Sequence, residues 1–266
     1  MTICITSICK LDGKEVIIAA SDHLITGNFG SYNVEFEHDS KKFCEITERT
    51  IMLLAGTTVL QQEFKKKLKA SVGETSTVEE IANRLQEIVI EKRMEVINEF
   101  IFKPKKLDME EFYRGGQMRN LIPEIAFKLN QDVETFNLGV ELLLAGIDEE
   151  GTHLYTINQA GKPIENNQIG FQAIGIGNIH AINTLISEGY SPNLDFEKAL
   201  FLVFKAKKNS EAAPGVGSRT DLLVITDKKI YYCDDESKKK LELQYKSEKK
   251  KIMEFNGLGL KEKIIK

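Results

Sequence analysis

The sequence predicts an α+β fold of four layers, αββα, in which two antiparallel sheets lie between two layers of helices. The first observation behind this prediction is the order of the elements: strands, two helices, strands, two helices and strands again. The second is that the long helix patterns each carry one apolar face, which is typical of helices that cover a sheet. A chain of 266 residues, of which 42% are hydrophobic, can bury a core of this size.

Two β-rich runs open the chain, at residues 2–9 and 15–21. They flank Leu11-Asp12-Gly13, which indicates a hairpin. A three-residue loop that ends with Gly13 in a left-handed conformation would place Thr2 opposite Asp22. A two-residue Asp12-Gly13 turn would instead place Thr2 opposite His23. In both registers we expect Asp22 to lie within reach of Thr2.

A second pair of predicted strands covers residues 42–46 and 51–55 and stops at Ala55-Gly56-Thr57-Thr58. Two amphipathic helices follow. The first has Leu60, Phe64 and Leu68 at helical spacing, and the second runs from about residue 78 to residue 100. Two overlapping capping-box patterns, which begin at Ser76 and Thr77, precede the second helix.

The second half of the chain begins with an insertion. Residues 101–137 are polar and rich in turn signals, and we interpret them as short helical pieces inserted into one domain that covers residues 1–235. Strands are then predicted at 141–147, 153–157 and 172–175, helices at about 179–188 and 195–208, and a last hairpin at 221–226 and 229–233. Residues 236–266 carry ten Lys against five Glu, so we expect a basic, solvated C-terminal tail.

The composition excludes several classes of function. A formal net charge of −4 argues against general nucleic-acid binding, and no run approaches the ~20 apolar residues that span a bilayer. The N-terminus lacks the basic segment of a secretory signal. The four Cys form no CxxC pair and the four His have no metal-like spacing, which indicates free thiols and no metal site. We therefore expect a cytoplasmic protein without a cofactor or a membrane partner.

Thr2 is the first candidate for chemistry. An N-terminal threonine carries a hydroxyl nucleophile and, on the same residue, an α-amine that can act as its base. An α-amine has a pKa of about 7.7 to 8.0, close to neutral pH, so no histidine is required. Thr is small enough for a methionine aminopeptidase to remove Met1. The same residue is also compatible with an ordinary strand, and Asp22 with Lys42 is compatible with an ordinary salt bridge.

Two glycine motifs also allow a structural interpretation. As an isolated motif, Ala55-Gly56-Thr57 only indicates the start of a helix. Gly175-Ile176-Gly177 lies between a strand and a helix and is similar to half of a dinucleotide-binding fingerprint. His180 occupies the position of the third glycine, which argues against nucleotide binding.

The ordered set of these motifs resembles the proteasome β-subunits and HslV-type peptidases, which belong to the N-terminal nucleophile (Ntn) hydrolases. The matching pieces are Thr2 after the start, Ala19-Ala20-Ser21-Asp22, Lys41-Lys42-Phe43, Ala55-Gly56 and the strand Thr220-Asp221-Leu222-Leu223-Val224-Ile225. The fourteen residues from Lys42 to Gly56 match the family's interval. The interval from Thr2 to Asp22 is longer by four, as a hairpin extended by two residues per strand would give. The resemblance covers roughly residues 2–100 and 138–233.

The resemblance implies a threonine hydrolase that cleaves peptide or other amide bonds through an acyl-enzyme. Thr2 would attack the carbonyl carbon through Oγ, and its own amine would take the proton through a water. Lys42 would lower the pKa of both groups, and Asp22 would hold the Lys42 ammonium in place. The backbone N–H of Gly56 would stabilise the oxyanion.

The resemblance also implies how a substrate and a partner would bind. Thr26 would hydrogen-bond the backbone of an extended substrate, and Leu54 with Thr58 would shape the first specificity pocket. Proteins of this fold pack their helical layers into rings or stacks, so we expect a homo-oligomer, with the helix at 57–70 as a candidate contact. The identity of any unfoldase partner is left open.

The sequence departs from the family's pattern at two positions. Ile176 stands where the family has a Ser that supports the nucleophile's amine, and the family's second acid has only Asn209 or Glu211 as candidates. These departures keep a second hypothesis open: a non-catalytic assembly or binding scaffold, as the proteasome α-subunits are. Those α-type chains carry an N-terminal extension over the nucleophile position, whereas only Met1 precedes Thr2 here, which favours catalysis.

Overall fold

A computed structural model describes residues 2–29, 32–39, 41–57 and 59–253 of the chain. Its strands are β1 (Cys4–Leu11), β2 (Lys14–Asp22), β3 (Leu24–Phe29), β4 (Tyr32–Glu37), β5 (Phe43–Thr47), β6 (Thr50–Gly56), β7 (Val140–Asp148), β8 (Gly151–Ile157), β9 (Ile164–Glu165), β10 (Phe171–Ile174), β11 (Thr220–Ile225) and β12 (Ile230–Tyr232). Its α-helices are α1 (Val59–Ser71), α2 (Val78–Ile97), α3 (Met109–Tyr113), α4 (Pro123–Thr135), α5 (Asn178–Ser187), α6 (Phe196–Ser210) and α7 (Asp235–Met253).

The strands form two five-stranded antiparallel sheets and a separate hairpin. The first sheet has the order β10-β1-β2-β11-β12, and the second has the order β5-β6-β7-β8-β9. The hairpin consists of β3 and β4, which directly follow β2. The sequence patterns predict most of these strands to within two residues. They do not predict the β3–β4 hairpin or the short strand β9.

Three hydrophobic clusters separate four layers. Helices α1 and α2 pack on one face of the second sheet, where Phe64 and Leu85 meet Leu142. Helices α5 and α6 pack on the outer face of the first sheet through Leu185, Val203 and Phe204. The inner faces of the two sheets meet through residues such as Ile8, Ile17, Ile51 and Leu143. The predicted αββα order is therefore confirmed.

The turn of the first hairpin decides between the two registers that the sequence allows. Leu11 pairs with Lys14 and Cys4 with Ser21, so Asp12-Gly13 is a two-residue turn. Both turn residues have positive φ, +50° and +80°, as the type I′ turn of a tight hairpin requires. The three-residue loop is therefore wrong. The two-residue turn forms because its backbone twist matches that of the flanking strands.

The long helix α2 begins where the sequence predicts. Thr77 is its N-cap, and the reciprocal hydrogen bonds between Thr77 and Glu80 form the second of the two predicted capping boxes. The helix continues as one π-helical turn over Asn98–Phe102. The predicted insertion then folds into short helices around a small core of its own, formed by Ile97, Phe102, Phe112 and Leu129.

The start of the basic C-terminal segment is a helix and packs on the body of the protein. Tyr245 of α7 is buried, and its hydroxyl donates to Asn209 Oδ1 at 2.9 Å. Lys205 of α6 pairs with Glu248 at 2.9 Å. The sequence predicts a solvated tail because Lys dominates its composition. Residues 235–253 instead form a helix that packs on the body, because Tyr245 is buried and ion pairs connect α7 with α6.

Candidate active site

Thr2 and Asp22 meet at the open end of the first hairpin. Thr2 immediately precedes β1, and Asp22 is the last residue of β2. Both side chains are buried, with exposed fractions of 1% and 0%. The Thr2 hydroxyl donates a hydrogen bond to Asp22 Oδ1, which also accepts the backbone N–H of Ile3 at 3.1 Å. The carboxylate therefore fixes the direction of the Thr2 Oγ.

The second oxygen of Asp22 is also occupied. Oδ2 accepts the backbone N–H of Leu24 at 3.2 Å and that of Gly217 at 2.9 Å. A fully buried carboxylate is costly unless its oxygens are hydrogen-bonded, and here four donors serve two oxygens. Asp22 thus ties together three parts of the chain: the start of β1, the start of β3 and the segment before β11.

Gly56 lies at the end of β6 in a conformation that favours glycine. Its φ is +112°, and a Cβ at this position would overlap the carbonyl oxygen of Gly139. Leu54 N–H donates to the carbonyl of Lys42 on the β5 side, at 2.9 Å. Because backbone N–H groups alternate along a strand, the N–H of Gly56 points to that same side, beyond the pairing of β5 with β6. It is a candidate donor for an oxyanion.

Thr2 and Gly56 line a common cleft of about 720 Å³. Its wall contains several amides, Asn137, Asn158, Gln159, Gln172 and Asn178. Glu141 is the one charged side chain among the described residues that line it. Gly175 closes the cleft behind Thr2, because a Cβ there would overlap the Thr2 carbonyl oxygen and touch the Ala55 side chain. The cleft therefore brings the predicted nucleophile and the predicted oxyanion donor to one surface.

Part of the chain is similar to known proteins. A model of the family "Proteasome subunit" matches residues 111–225. Proteasome subunit beta 1 of Korarchaeum cryptofilum is 33% identical over 126 residues, which are 46% of this chain and 58% of that protein. Proteasome subunit beta 2 of Thermofilum pendens is 35% identical over 88 residues, and that of Pyrobaculum neutrophilum is 36% identical over 86. Each match covers 32% of this chain and 40% of the relative.

These matches support a proteasome β-subunit-like family. The predicted resemblance to the proteasome β-subunits and the predicted α+β sandwich are therefore confirmed. The chain spans 58% of the first relative and 40% of each of the other two. The family model matches residues 111–225 and does not cover Thr2, Asp22, Lys42 or Gly56, so the roles of these residues stay predictions.

Within this proteasome-β-like site, Lys42 does not contact Asp22. Its side chain is 3% exposed, yet its ammonium stays outside the 4.0 Å from the Asp22 carboxylate that an ion pair requires. The two groups instead act on the thiol of Cys4, whose pKa is raised chiefly by burial, raised further by Asp22 and lowered by Lys42. The predicted contact between Lys42 and Asp22 is therefore absent, and the four donors to Asp22 come from other residues.

The residues predicted to bind substrate lie in different environments. Leu54 is buried in the cluster beneath α1 and α2. Successive side chains of a strand point to opposite faces, and the neighbours of Leu54 in β6 face the other sheet. Thr26 lies on β3, and its hydroxyl is buried without a hydrogen-bond partner. Thr58 lies outside the described residues. None of these described side chains lines the cleft, so their binding roles stay predictions.

Glu141 is a cleft residue that the sequence patterns did not single out. Its Oε2 accepts the backbone N–H of Gly175 at 2.6 Å, and it pairs across the sheet with Ala55. A signal was present in the sequence, since Glu141 is a charged residue directly before the apolar run 142–147. In the described part of the chain, no group of three or more His, Cys, Asp or Glu side chains is arranged to hold a metal ion. Nor does any described helix have the length and apolar character needed to cross a membrane.

The two candidates for the second acid are separated by the structure. Asn209 points away from Asp22, because its amide donates to Thr184 Oγ1 at 3.0 Å and its oxygen accepts from Tyr245. Glu211 pairs with Lys207 at 2.6 Å and with Lys208 at 2.8 Å. Neither reaches Thr2 directly. Ile176 lines the cleft and is 48% exposed, so a side chain at this position does face the site.

Proposed function

We propose that this protein is an N-terminal threonine hydrolase that cleaves peptide or other amide bonds once Met1 has been removed. The observation that carries the proposal is the hydrogen bond from the Thr2 hydroxyl to the fully buried Asp22, at the wall of a cleft that Gly56 also lines. The similarity to archaeal proteasome β-subunits supports the same class of chemistry.

The reaction would proceed in two steps. In the first, Thr2 Oγ bonds to the carbonyl carbon of the amide, the C–N bond breaks, and the Oγ proton passes to the free Thr2 amine and then to the leaving amine. The product of this step is an ester between the acyl group and Thr2. In the second step, a water attacks the ester, which releases a carboxylic acid and restores the hydroxyl.

Three groups would assist these steps. Asp22 holds the hydroxyl in one direction, which keeps Oγ aimed at one point in the cleft. The N–H of Gly56 would bind the negative charge that develops on the carbonyl oxygen. Lys42, a buried side chain whose charge acts on Cys4 of β1, would favour the unprotonated form of the Thr2 amine by like-charge repulsion.

A covalent probe tests this proposal. An epoxyketone peptide requires a hydroxyl and a free amine on the same residue, so we expect one adduct, on Thr2, in protein that has lost Met1. Thr2→Ala should abolish the adduct, whereas Thr2→Ser should retain it because the hydroxyl and the amine remain. Intact mass and peptide mapping would measure both. An adduct that persists in Thr2→Ala, or native protein that keeps Met1, would contradict the proposal.

The second candidate function is a non-catalytic assembly or binding scaffold. Ile176 favours it, because an apolar side chain faces the cleft where the family has a serine that supports the amine. The gap between Lys42 and Asp22 favours it as well. A scaffold would bind partners without ever forming the Thr2 adduct, so the same probe experiment separates the two functions.

We also propose that the protein is a homo-oligomer, and we expect a mass of several chains in light scattering. Helix α1, the predicted contact, exposes Val59 at its start but otherwise turns polar side chains outward. The larger exposed apolar side chains lie elsewhere: Ile179 and Ile186 on one face of α5, and Phe100, Ile122 and Phe127 in the insertion. Such exposed side chains are typical of contact surfaces. A monomeric mass at high protein concentration would contradict this proposal.

A further inference from the structure

Lys207 is a buried lysine that the proposed reaction does not use. It lies in the last turn of α6, and its side chain is 0% exposed. Burial lowers the pKa of its ammonium, and Glu211 opposes that effect. Replacing a buried ion pair with apolar side chains is often neutral or stabilising, so stability alone is a weak reason for a lysine here.

The three polar contacts of Lys207 all lie on the segment that follows α6. Its Nζ donates to the carbonyl of Gly217 at 2.8 Å and to that of Ser218 at 3.0 Å, and it pairs with Glu211 at 2.6 Å. An ammonium has three N–H donors, so these acceptors satisfy it completely. The side chain thus fixes both ends of the segment 211–218 to the helix.

The opposite side of this segment faces Asp22. The N–H of Gly217 donates to Asp22 Oδ2 at 2.9 Å, while the carbonyl of the same residue accepts from Lys207. Little space is left for adjustment, because a Cβ at Gly217 would lie 2.9 Å from the Leu24 side chain and 2.7 Å from Glu37 Oε1. Lys207 is therefore two hydrogen bonds away from the carboxylate that orients Thr2.

We propose that Lys207 is a positioning residue for the Thr2 nucleophile: it holds Gly217 so that the N–H of Gly217 fixes Asp22. The inference rests on the proposed threonine hydrolase. It assigns to Lys207 and Glu211 an indirect role, since neither contacts the reacting atoms. A displaced Gly217 would leave one oxygen of Asp22 short of a donor and would let the carboxylate turn. The Thr2 hydroxyl would then lose its fixed direction.

The experiment compares Lys207→Met with Lys205→Met. Lys205 lies on the same helix, is mostly buried and forms two ion pairs, with Glu188 and Glu248, but it does not contact the segment 211–218. Saturation kinetics with the epoxyketone probe give a binding constant, KI, and a maximal reaction rate, kinact. For Lys207→Met we expect kinact to fall at least about tenfold with KI within about twofold of wild type. For Lys205→Met we expect both constants to stay within about twofold.

Hydrogen exchange followed by mass spectrometry supplies a readout that needs no reaction. In Lys207→Met, the peptide that covers residues 212–219 and the one that contains Leu24 should exchange faster, whereas Lys205→Met should leave both unchanged. A wild-type kinact, or unchanged exchange in both peptides, would overturn the inference. An equal loss of kinact in the two variants would also overturn it, because the loss would then reflect helix stability.

A Lys207→Met variant that does not fold and a wild-type protein that forms no adduct have different consequences. If Lys207→Met does not fold, Glu211→Gln is measured in its place. Glu211→Gln keeps the hydrogen bonds from Lys207 to the carbonyls of Gly217 and Ser218. We therefore expect a smaller fall in kinact and faster exchange only in residues 212–219. Wild-type behaviour of Glu211→Gln in both measurements would overturn the role of the pair. If the wild-type protein forms no adduct, the proposed function fails, while the exchange data still decide whether Lys207 holds Gly217 and Asp22.

Discussion

Asp22→Asn is expected to lower the free energy of unfolding by about 3 kcal/mol and to slow labelling of Thr2 at least about 100-fold. The reason is the geometry of the buried carboxylate, whose two oxygens accept only from N–H and O–H donors. An amide of the same shape puts an NH₂ group against one pair of these donors. Two of the four donors lose their acceptor, so the side chain at position 22 is no longer held in the one position that orients the Thr2 hydroxyl.

The measurements are chemical unfolding and the rate of adduct formation, normalised to the folded fraction. Asp227→Asn is the matched control, because Asp227 is an acidic side chain with one ion pair, to Lys14, but lies at the surface. Its effect on stability should stay within about 0.5 kcal/mol, with the labelling rate unchanged. If Asp22→Asn has the wild-type free energy of unfolding and the wild-type labelling rate, the carboxylate neither stabilises the fold nor orients Thr2.

Lys42→Met is expected to act on the reaction and hardly on the fold. Lys42 is buried, and methionine has a similar length without the charge, so its removal should change stability little. Without like-charge repulsion the protonated Thr2 amine is favoured, and the acid limb of the labelling rate should move to higher pH. The plateau should fall about tenfold or more, because the developing charges lose a cation. A displacement of one pH unit would correspond to about 1.4 kcal/mol of repulsion.

The neighbouring residue provides the control. Lys41 is exposed and lies over the rings of Phe43 and Tyr232, at 5.3 Å and 4.4 Å from the ring centres. Lys41→Met removes the same charge from the same stretch of chain but outside the core. It should leave the plateau and the acid limb unchanged. If Lys42→Met also behaves like wild type at every pH, Lys42 has no part in the mechanism.

Most of the fold could be predicted from the periodicity of the apolar residues. The apolar run of β6 and the helical stripes of α1 and α2 are local patterns. The strand is buried on both faces, and the two helices pack with the face that their stripes predict. The capping box at Thr77 and the two-residue turn at Asp12-Gly13 are equally local, because they depend on two to four adjacent residues. The β3–β4 hairpin was not predicted because β3, Leu-Ile-Thr-Gly-Asn-Phe, does not alternate apolar and polar residues. Its partner β4, Tyr-Asn-Val-Glu-Phe-Glu, alternates regularly, so half of the signal was present.

The part of the candidate site that could be predicted from the sequence is the contact between Thr2 and Asp22, which lie at the ends of neighbouring strands. The hairpin register fixes the approach of Thr2 and Asp22, so the sequence alone predicts that contact. The donor from Gly217 comes from a residue 195 positions away from Asp22, and no local pattern reveals it. The same holds for Lys42, since its distance from Asp22 depends on how one sheet packs on the other.

The four donors to Asp22 also bear on the order in which the protein is made. Two come from residues 2 and 3, one from residue 24, and one from Gly217, near the end of the first sheet. A nascent chain that has left the ribosome only as far as α6 lacks both the last donor and β11, which pairs with β2. In that chain, Asp22 would lack one of its four donors and would not yet hold the Thr2 hydroxyl in one direction. In the proposed threonine hydrolase, the site around Thr2 would therefore be complete only when synthesis of the domain is nearly finished, and we expect a nascent chain that ends at α6 not to react with the epoxyketone probe.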